Sequence, residues 1–316
     1  MVICVKLSII VPSYNEEGNL EELYRTIHSV LKTIDYEVIF VNDGSTDKTK
    51  NELDDLYNKH DKHVRVINFS RNFGKDAAIY AGLEHVTGEY CAIIDADMEQ
   101  HPKYLLDMYN FLEENNDYDQ VAMTIKKRKS GSAISRLGGK LFYKLINKLS
   151  DIHFAEDASD FRMFRSYVKD AILSLPEKNR FSKGIFNWVG FNTKYMQYDV
   201  GTRLNGKSKF TFKRSIKYAF EGIISHSTKP LRLATIFGII SAISGFVYLM
   251  YIVIKTIIMG IDTPGFPTIV CLIMLIGGIQ LITIGILGEY IAKTYLEVKN
   301  RPIYIAKEKK GIKNTK

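Results

Sequence analysis

Tyr90-Cys91-Ala92-Ile93-Ile94, followed at once by Asp95-Ala96-Asp97-Met98-Glu99, is the stretch on which the fold turns. A short apolar run bounded by polar residues reads as a buried strand, and here carboxylates crowd its carboxyl end. Three earlier segments repeat the pattern. Leu7–Val11 leads into Pro12-Ser13-Tyr14-Asn15-Glu16-Glu17, Tyr36–Val41 into Asn42-Asp43-Gly44-Ser45-Thr46-Asp47, and Val64–Phe69 into Ser70-Arg71-Asn72-Phe73-Gly74-Lys75. Between these strands, Glu17–Leu31, Lys48–Asn58 and Lys75–His85 have helical length and spacing. The alternation predicts an α/β fold built on a mostly parallel sheet with helices on both faces. Such sheets bind ligands at the carboxyl ends of their strands, so polar strand ends gathered at one edge make a candidate site.

Asp95 and Asp97 are two apart, which turns both carboxylates to one side of a strand. Paired carboxylates next to a diphosphate are what Mg²⁺ or Mn²⁺ requires, because these hard cations take oxygen ligands and complete their shell with phosphate oxygens. Glu99, two further on, extends the set. The first strand-to-helix turn is not glycine-rich and no P-loop occurs in the sequence, which argues against a hydride-transfer enzyme or an NTPase.

The charge is unevenly spread. The chain of 316 residues has 43 Lys plus Arg against 35 Asp plus Glu, a formal +8. Residues 1–202 carry roughly −4, 203–232 roughly +7, 233–292 about −1 and 293–316 about +6. About 22 residues between Arg232 and Lys255, and about 26 between Asp262 and Glu289, contain no charge; about 20 suffice to cross a bilayer as helix. Gly245 and Gly277-Gly278 lie within these runs, as membrane helices tolerate. Lys229 and Arg232 precede the first run, and Lys293, Lys299, Arg301, Lys307, Lys309 and Lys310 follow the second. The positive-inside rule then predicts two spans with both termini in the cytoplasm. No signal peptide is expected at the start of the chain, and the three cysteines, Cys4, Cys91 and Cys271, are expected to be reduced thiols. The expected organisation is a cytoplasmic catalytic domain (1–202), a basic amphipathic interface segment (203–232), two transmembrane helices (233–292) and a basic cytoplasmic tail (293–316).

Two further stretches have a basic amphipathic pattern. Arg136, Lys140, Lys144 and Lys148 recur beside Leu137, Leu141, Leu145 and Leu149, and Phe212, Ile216, Phe220 and Ile223 alternate with Lys213, Arg214 and Lys217. Helices of this kind lie in the headgroup plane, each basic residue adding about 1 kcal/mol near anionic lipid. Packing against the sheet is the other use of such a face.

Val11-Pro12-Ser13-Tyr14-Asn15-Glu16, Val41-Asn42-Asp43-Gly44-Ser45-x-Asp47 and Asp95-Ala96-Asp97 together resemble family-two glycosyltransferases with the nucleotide-sugar-binding GT-A fold. Ser159-Asp160-Phe161-Arg162, Asn179-Arg180-Phe181-x-Lys183-Gly184, Trp188-x-Gly190-Phe191 and Arg203-x-x-Gly206-x-Ser208-Lys209, with two C-terminal spans, narrow the resemblance. They match polyprenyl-phosphate glycosyltransferases, a group that includes bactoprenol glucosyltransferases and dolichol-phosphate mannose synthases. The resemblance implies that Pro12, Tyr14, Asn15, Glu16 and Asp43 hold base and ribose, with Asp43 accepting from a ring N–H of the base. It puts Lys75 and Asp95 near the nucleotide, and Asp97, with Asp95 and Glu99, at the metal. Glu99 stands where mannose synthases usually have Gln, and Gln100 departs from the Asp or His often found next. Asp160 matches an acidic residue proposed as catalytic base; orienting Arg162 or the sugar is its alternative use, since a lipid phosphate is already anionic. Arg203, Ser208 and Lys209, with Arg128 and Arg136, are the implied acceptor-phosphate residues.

The function expected is inverting transfer of one sugar from a nucleotide sugar to undecaprenyl or polyprenyl phosphate at the cytoplasmic face. UDP-glucose or UDP-N-acetylglucosamine is favoured over GDP-mannose as donor. The product is a lipid-linked donor for cell-envelope glycosylation. Related enzymes imply a homotetramer associated through the spans. A processive polysaccharide synthase needs more spans and a Gln-x-x-Arg-Trp motif, which the sequence lacks; an inactive membrane scaffold has no need of the acidic set. Nucleic acid is not an expected partner, because the positive charge sits beside the spans, where lipid is the nearer anion.

Overall fold

The structure is a computed structural model describing residues 5–126, 158–178, 180–201, 229–259 and 265–312. Strands β1 (Leu7–Ser13), β2 (Tyr36–Asn42), β3 (Val64–Phe69) and β4 (Tyr90–Ile93) alternate with helices α1 (Leu20–Val30), α2 (Thr49–His60) and α3 (Lys75–Leu83). Then come α4 (Lys103–Glu114), β5 (Gln120–Ile125), β6 (Ala158–Arg165), α5 (Ser166–Ser174), α6 (Ser182–Trp188) and β7 (Thr193–Tyr198). Two long helices, α7 (Lys229–Met259) and α8 (Phe266–Val298), precede a last strand, β8 (Ala306–Lys310).

The described strands form one sheet in the order β7-β5-β6-β4-β1-β2-β3-β8. Its centre is parallel, β4-β1-β2-β3, as the βα alternation requires. On the flanks β6 runs antiparallel to both β4 and β5 and β8 antiparallel to β3, while β7 pairs parallel with β5. The described sheet is therefore mostly parallel, as expected, with β6 and β8 as its two reversed strands. Side-chain alternation divides the core between two faces. Leu7, Ile9 and Val11 pack with Leu23, Ile27, Leu53 and Met108 on one side, and Ile10, Ile39, Ile67 and Ile93 with Ala78, Val168 and Ile172 on the other. Parallel strands buried on both faces read as near-continuous apolar runs, which is why these four strands were legible.

Element ends differ from expectation for local reasons. α1 begins at Leu20 rather than Glu17, because Asn15 (φ 53°) and Gly18 (φ 83°) are left-handed and hold the chain in a turn. The 293–316 segment is more than a basic tail: α8 continues through Lys293 to Val298, and the chain then returns to the sheet as β8. Within α7 and α8, Ala234–Met259 and Leu275–Val298 are long and apolar enough to cross a membrane, with mean hydropathy 2.2 and 1.6. Their apolar side chains are largely uncovered, Phe246 at 63% and Leu281 at 72% exposed. The two amphipathic stretches expected at the headgroup plane, and with them Arg128, Arg136, Arg203, Ser208 and Lys209, lie outside the described residues.

Candidate active site

The carboxyl ends of β1, β2, β3 and β4 lie along one edge, and side chains from each loop stitch it to the next. The β1 and β2 loops interlock: Asn15 N–H donates to Ser45 Oγ (3.0 Å), Thr46 N–H to Asn15 Oδ1 (2.9 Å), and Glu16 N–H to Thr49 Oγ1 (2.9 Å). Glu16 in turn accepts from Asn19 Nδ2 at 2.8 Å. These contacts fix Asn15 in its left-handed turn and leave Tyr14 38% exposed at the rim. Pro12 pairs with Val41 at the last turns of β1 and β2, behind that rim.

Asp43 is almost wholly buried, and its two oxygens accept the backbone N–H groups of Phe73 (2.6 Å) and Gly74 (2.9 Å). Burial raises its pKa, opposed by those two hydrogen bonds and by Arg71. The carboxylate expected to read a base thus also ties the β2 loop to the β3 loop. Gly44 makes this approach feasible: it is left-handed (φ 65°), and a Cβ there would collide with the Arg71 and Asn72 backbone.

Lys75, the first residue of α3, occupies the centre. Its ammonium stands 2.5 Å from Asp95 Oδ1 and 2.8 Å from Asp160 Oδ2, so one cation joins α3, the end of β4 and the start of β6. Burial alone would lower the Lys75 pKa, but the Asp160 and Asp95 carboxylates outweigh it and hold it above the ordinary lysine value. Asp95 Oδ2 accepts from Gln100 Nε2 (3.0 Å), and Gln100 also receives the Asp95 N–H (2.9 Å) and donates to Ser159 Oγ (3.0 Å). Next to Lys75, Asp76 accepts the Ser182 N–H at 3.0 Å and has a pKa raised by burial. This fastens the start of α3 to α6.

Asp97 turns back on its own loop, its Oδ1 accepting the Glu99 N–H at 3.2 Å. The intervening Met98 is left-handed at φ 62°, an unfavourable conformation for such a side chain that a surrounding structure must hold in place. The hold is visible: Gly201 N–H donates to Glu99 O (2.9 Å), and a Cβ on Gly201 would press on Met98 O at 2.8 Å. Tyr198 faces the same loop; burial raises its phenol pKa, and Asp95, Glu99 and Asp97 raise it further. The three carboxylates therefore share one neighbourhood.

The structure thus brings Asp95, Asp97, Glu99, Lys75 and Asp160 together, with Asp43, Asn15 and Tyr14 along the same edge. No group of three or more His, Cys, Asp or Glu among the described residues converges on a point as a metal cage would. Asp95, expected as a metal ligand, has its oxygens on Lys75 and Gln100. Asp97 and Glu99 retain the hard-oxygen chemistry that suits Mg²⁺ or Mn²⁺ when a diphosphate supplies the rest of the shell. Sequence reading missed the supports: Gln100, Asp76 with Ser182, Tyr198 and Gly201. Gln100 alone had left a trace, as a departure from the usual residue at its position.

Comparison with known proteins agrees with this geometry. Residues 8–173 match glycosyl transferase family 2, and residues 229–294 match the GtrB C-terminal hairpin. CsbB of Bacillus subtilis (strain 168) is 42% identical over 96% of this chain and 91% of its own. The prophage bactoprenol glucosyl transferase homolog of Escherichia coli (strain K12) is 38% identical over 97% of this chain and 100% of its own. Among solved structures, glucosyl-3-phosphoglycerate synthase from Mycobacterium tuberculosis, crystallised with Mn²⁺, UDP and phosphoglyceric acid, superposes with a TM-score of 0.51. It covers 70% of this chain and 76% of that one at 18% identity, a likeness of fold. With a strand-end acidic site on a GT-A-like sheet and a family match spanning most of that domain, the chain belongs to glycosyl transferase family 2.

Proposed function

We propose that this transferase moves a single sugar from a nucleotide sugar, UDP-glucose or UDP-N-acetylglucosamine, to a polyprenyl phosphate at the cytoplasmic face of a membrane. The observation that carries the reading is Lys75 held between Asp95 and Asp160 at the strand ends, beside Asp97 and within a chain that ends in two apolar helices. The relative named for bactoprenol glucosyl transfer supports the lipid acceptor.

Tyr14 offers a ring face at the rim for a base, and Asp43, Asn15, Glu16 and Pro12 wall the nucleoside. A divalent ion held by Asp97 and Glu99, with Asp95 behind them, would offset the charge of the departing diphosphate. Lys75 adds a second positive charge on that side, and its two carboxylates keep it ionised and aimed. A lipid phosphate oxygen forms the new bond to the anomeric carbon while the bond to the diphosphate breaks, its electron pair leaving with the nucleotide. Attack from the opposite face inverts the centre. Asp160, already paired to an ammonium, orients Lys75 in this scheme, and the acceptor's own charge makes a strong base unnecessary. Arg128, Arg136, Arg203, Ser208 and Lys209 are our assigned acceptor residues. α7 and α8 are assigned as the membrane anchor, with both termini cytoplasmic and association of copies through these helices.

The test is to offer the purified protein a panel of nucleotide sugars with undecaprenyl phosphate and weigh the lipid product. One hexose or N-acetylhexosamine per lipid is expected. A polymer, or no lipid product from any donor, overturns the reading.

A further inference from the structure

The strand that follows the second long helix lies against the wall of the candidate nucleotide site. β8 pairs with β3 so that Glu308 is directly opposite Asn68, and the register shifts between Asn68 and Phe69, an irregularity of the kind that re-aims a side chain. The buried Asn68 amide donates to Glu308 Oε2 at 3.4 Å, and Asn68 Oδ1 accepts from Asn42 Nδ2 at 2.9 Å. Asn42 Oδ1 then accepts the Ser45 N–H at 3.0 Å, and Ser45 Oγ accepts the Asn15 N–H at 3.0 Å. Three bonds in series run from the tail to the turn beside Asp43, and a fourth joins that turn to Asn15.

A second route reaches the same turn from its other end. Lys50, in the first turn of α2, stands 3.4 Å from Glu308, and Lys310 stands 2.8 Å from Asp54 of α2. The Thr49 hydroxyl at the start of that helix accepts the Glu16 N–H.

We propose that Ala306–Lys310 is a strap that holds the 42–49 turn in its nucleotide-binding shape, with Glu308 as the positioning residue. The proposal rests on the reading of that turn as part of the donor site. Its chemistry is one of polarity. An asparagine amide can present either its oxygen or its nitrogen to a neighbour, but a carboxylate only accepts. Glu308 therefore draws the Asn68 NH₂ toward the tail, which sends Asn68 Oδ1 to Asn42 and Asn42 Oδ1 to the Ser45 N–H. Covering an exposed sheet edge is the plainer role of such a strand, and backbone pairing alone achieves it without the Glu308 side chain. The opposite face of β8 provides the comparison, since Lys309 meets His85 at 2.9 Å, away from the relay.

The experiment is amide hydrogen exchange on the full chain in detergent, with donor kinetics alongside. Glu308→Ala is expected to speed exchange over residues 42–49 and to raise the donor KM about three- to tenfold, the loss of roughly one hydrogen bond. The kcat and the acceptor KM should hold within about twofold. Lys309→Met should leave exchange over 42–49 as in the parent. Asn68→Ala combined with Glu308→Ala should lose less than the sum of the two single variants, because both cut the same relay. Unchanged exchange in Glu308→Ala, or equal effects from Lys309→Met, overturns the strap. If exchange responds as expected but the parent protein turns over no nucleotide sugar, the strap stands and the functional reading falls.

Discussion

Replacing Lys75 with Met deletes the cation between two carboxylates and leaves their repulsion unopposed. The paired oxygens of Asp95 and Asp160 are 2.5 and 2.8 Å from the ammonium, which puts them at most about 5.3 Å apart. At that distance two unit charges repel by about 0.8 kcal/mol at a dielectric constant of about 80 and by about 3 kcal/mol at about 20. The Lys75 side chain is 41% exposed, which places the pair toward the screened end, at about 1–2 kcal/mol. One kcal/mol shifts the melting temperature of a domain of this size by about 2–4 °C. Lys75→Met should therefore melt about 2–8 °C below the parent in detergent, and adding Asp160→Asn should recover most of that loss. Neither variant should regain UDP affinity, which we expect to fall about tenfold or more when measured calorimetrically with Mn²⁺. A double variant no more stable than Lys75→Met, or UDP binding unaltered in Lys75→Met, would refute the assignment of Lys75 as the shared counter-ion.

Asp97→Ala should reduce sugar transfer by at least about a hundredfold with an unchanged melting temperature; full activity would remove Asp97 from the site. Gly44→Ala combines a strained φ with a backbone collision and should cost about 2–4 kcal/mol, read as a lowered melting temperature; an unaltered one would contradict the close approach of the β2 and β3 loops. Burial lowers the pKa of His85 and Lys309 lowers it further, against the opposing Glu84. The stabilisation it gives is thus whole above its unfolded value, about pH 6.5, and is lost as pH falls toward the folded value. Protection over 306–310, corrected for the intrinsic pH dependence of amide exchange, should fall as pH drops from about 7.5 to about 5.5, and His85→Gln should flatten that fall.

The central sheet was legible because each of its parallel strands is a mainly apolar run that ends abruptly in polar residues. Chemistry at those ends was legible for the same reason: carboxylates directly after a buried strand have few structural uses. β8 was hidden because Ala306-Lys307-Glu308-Lys309-Lys310 has only one apolar residue. An edge strand is held by backbone pairing and salt bridges and shows no apolar alternation. The supports of the site were hidden too, since Asp76, Tyr198 and, through Ser159, Gln100 act on partners distant in sequence. Asp160 was found only by resemblance; its pairing with Lys75, 85 residues away, carries no local signal. The turn that delays α1 could be suspected from Gly18, but the left-handed Asn15 depends on Ser45 and Thr46.

The most direct test of the central claim is an experimental structure of the full chain with UDP and Mn²⁺. The account predicts the uracil and ribose between Tyr14 and Asp43, the ion on Asp97, and the diphosphate within reach of Lys75. Nucleotide bound away from the carboxyl ends of β1, β2 and β4, or an ion with no contact to Asp97, would contradict it.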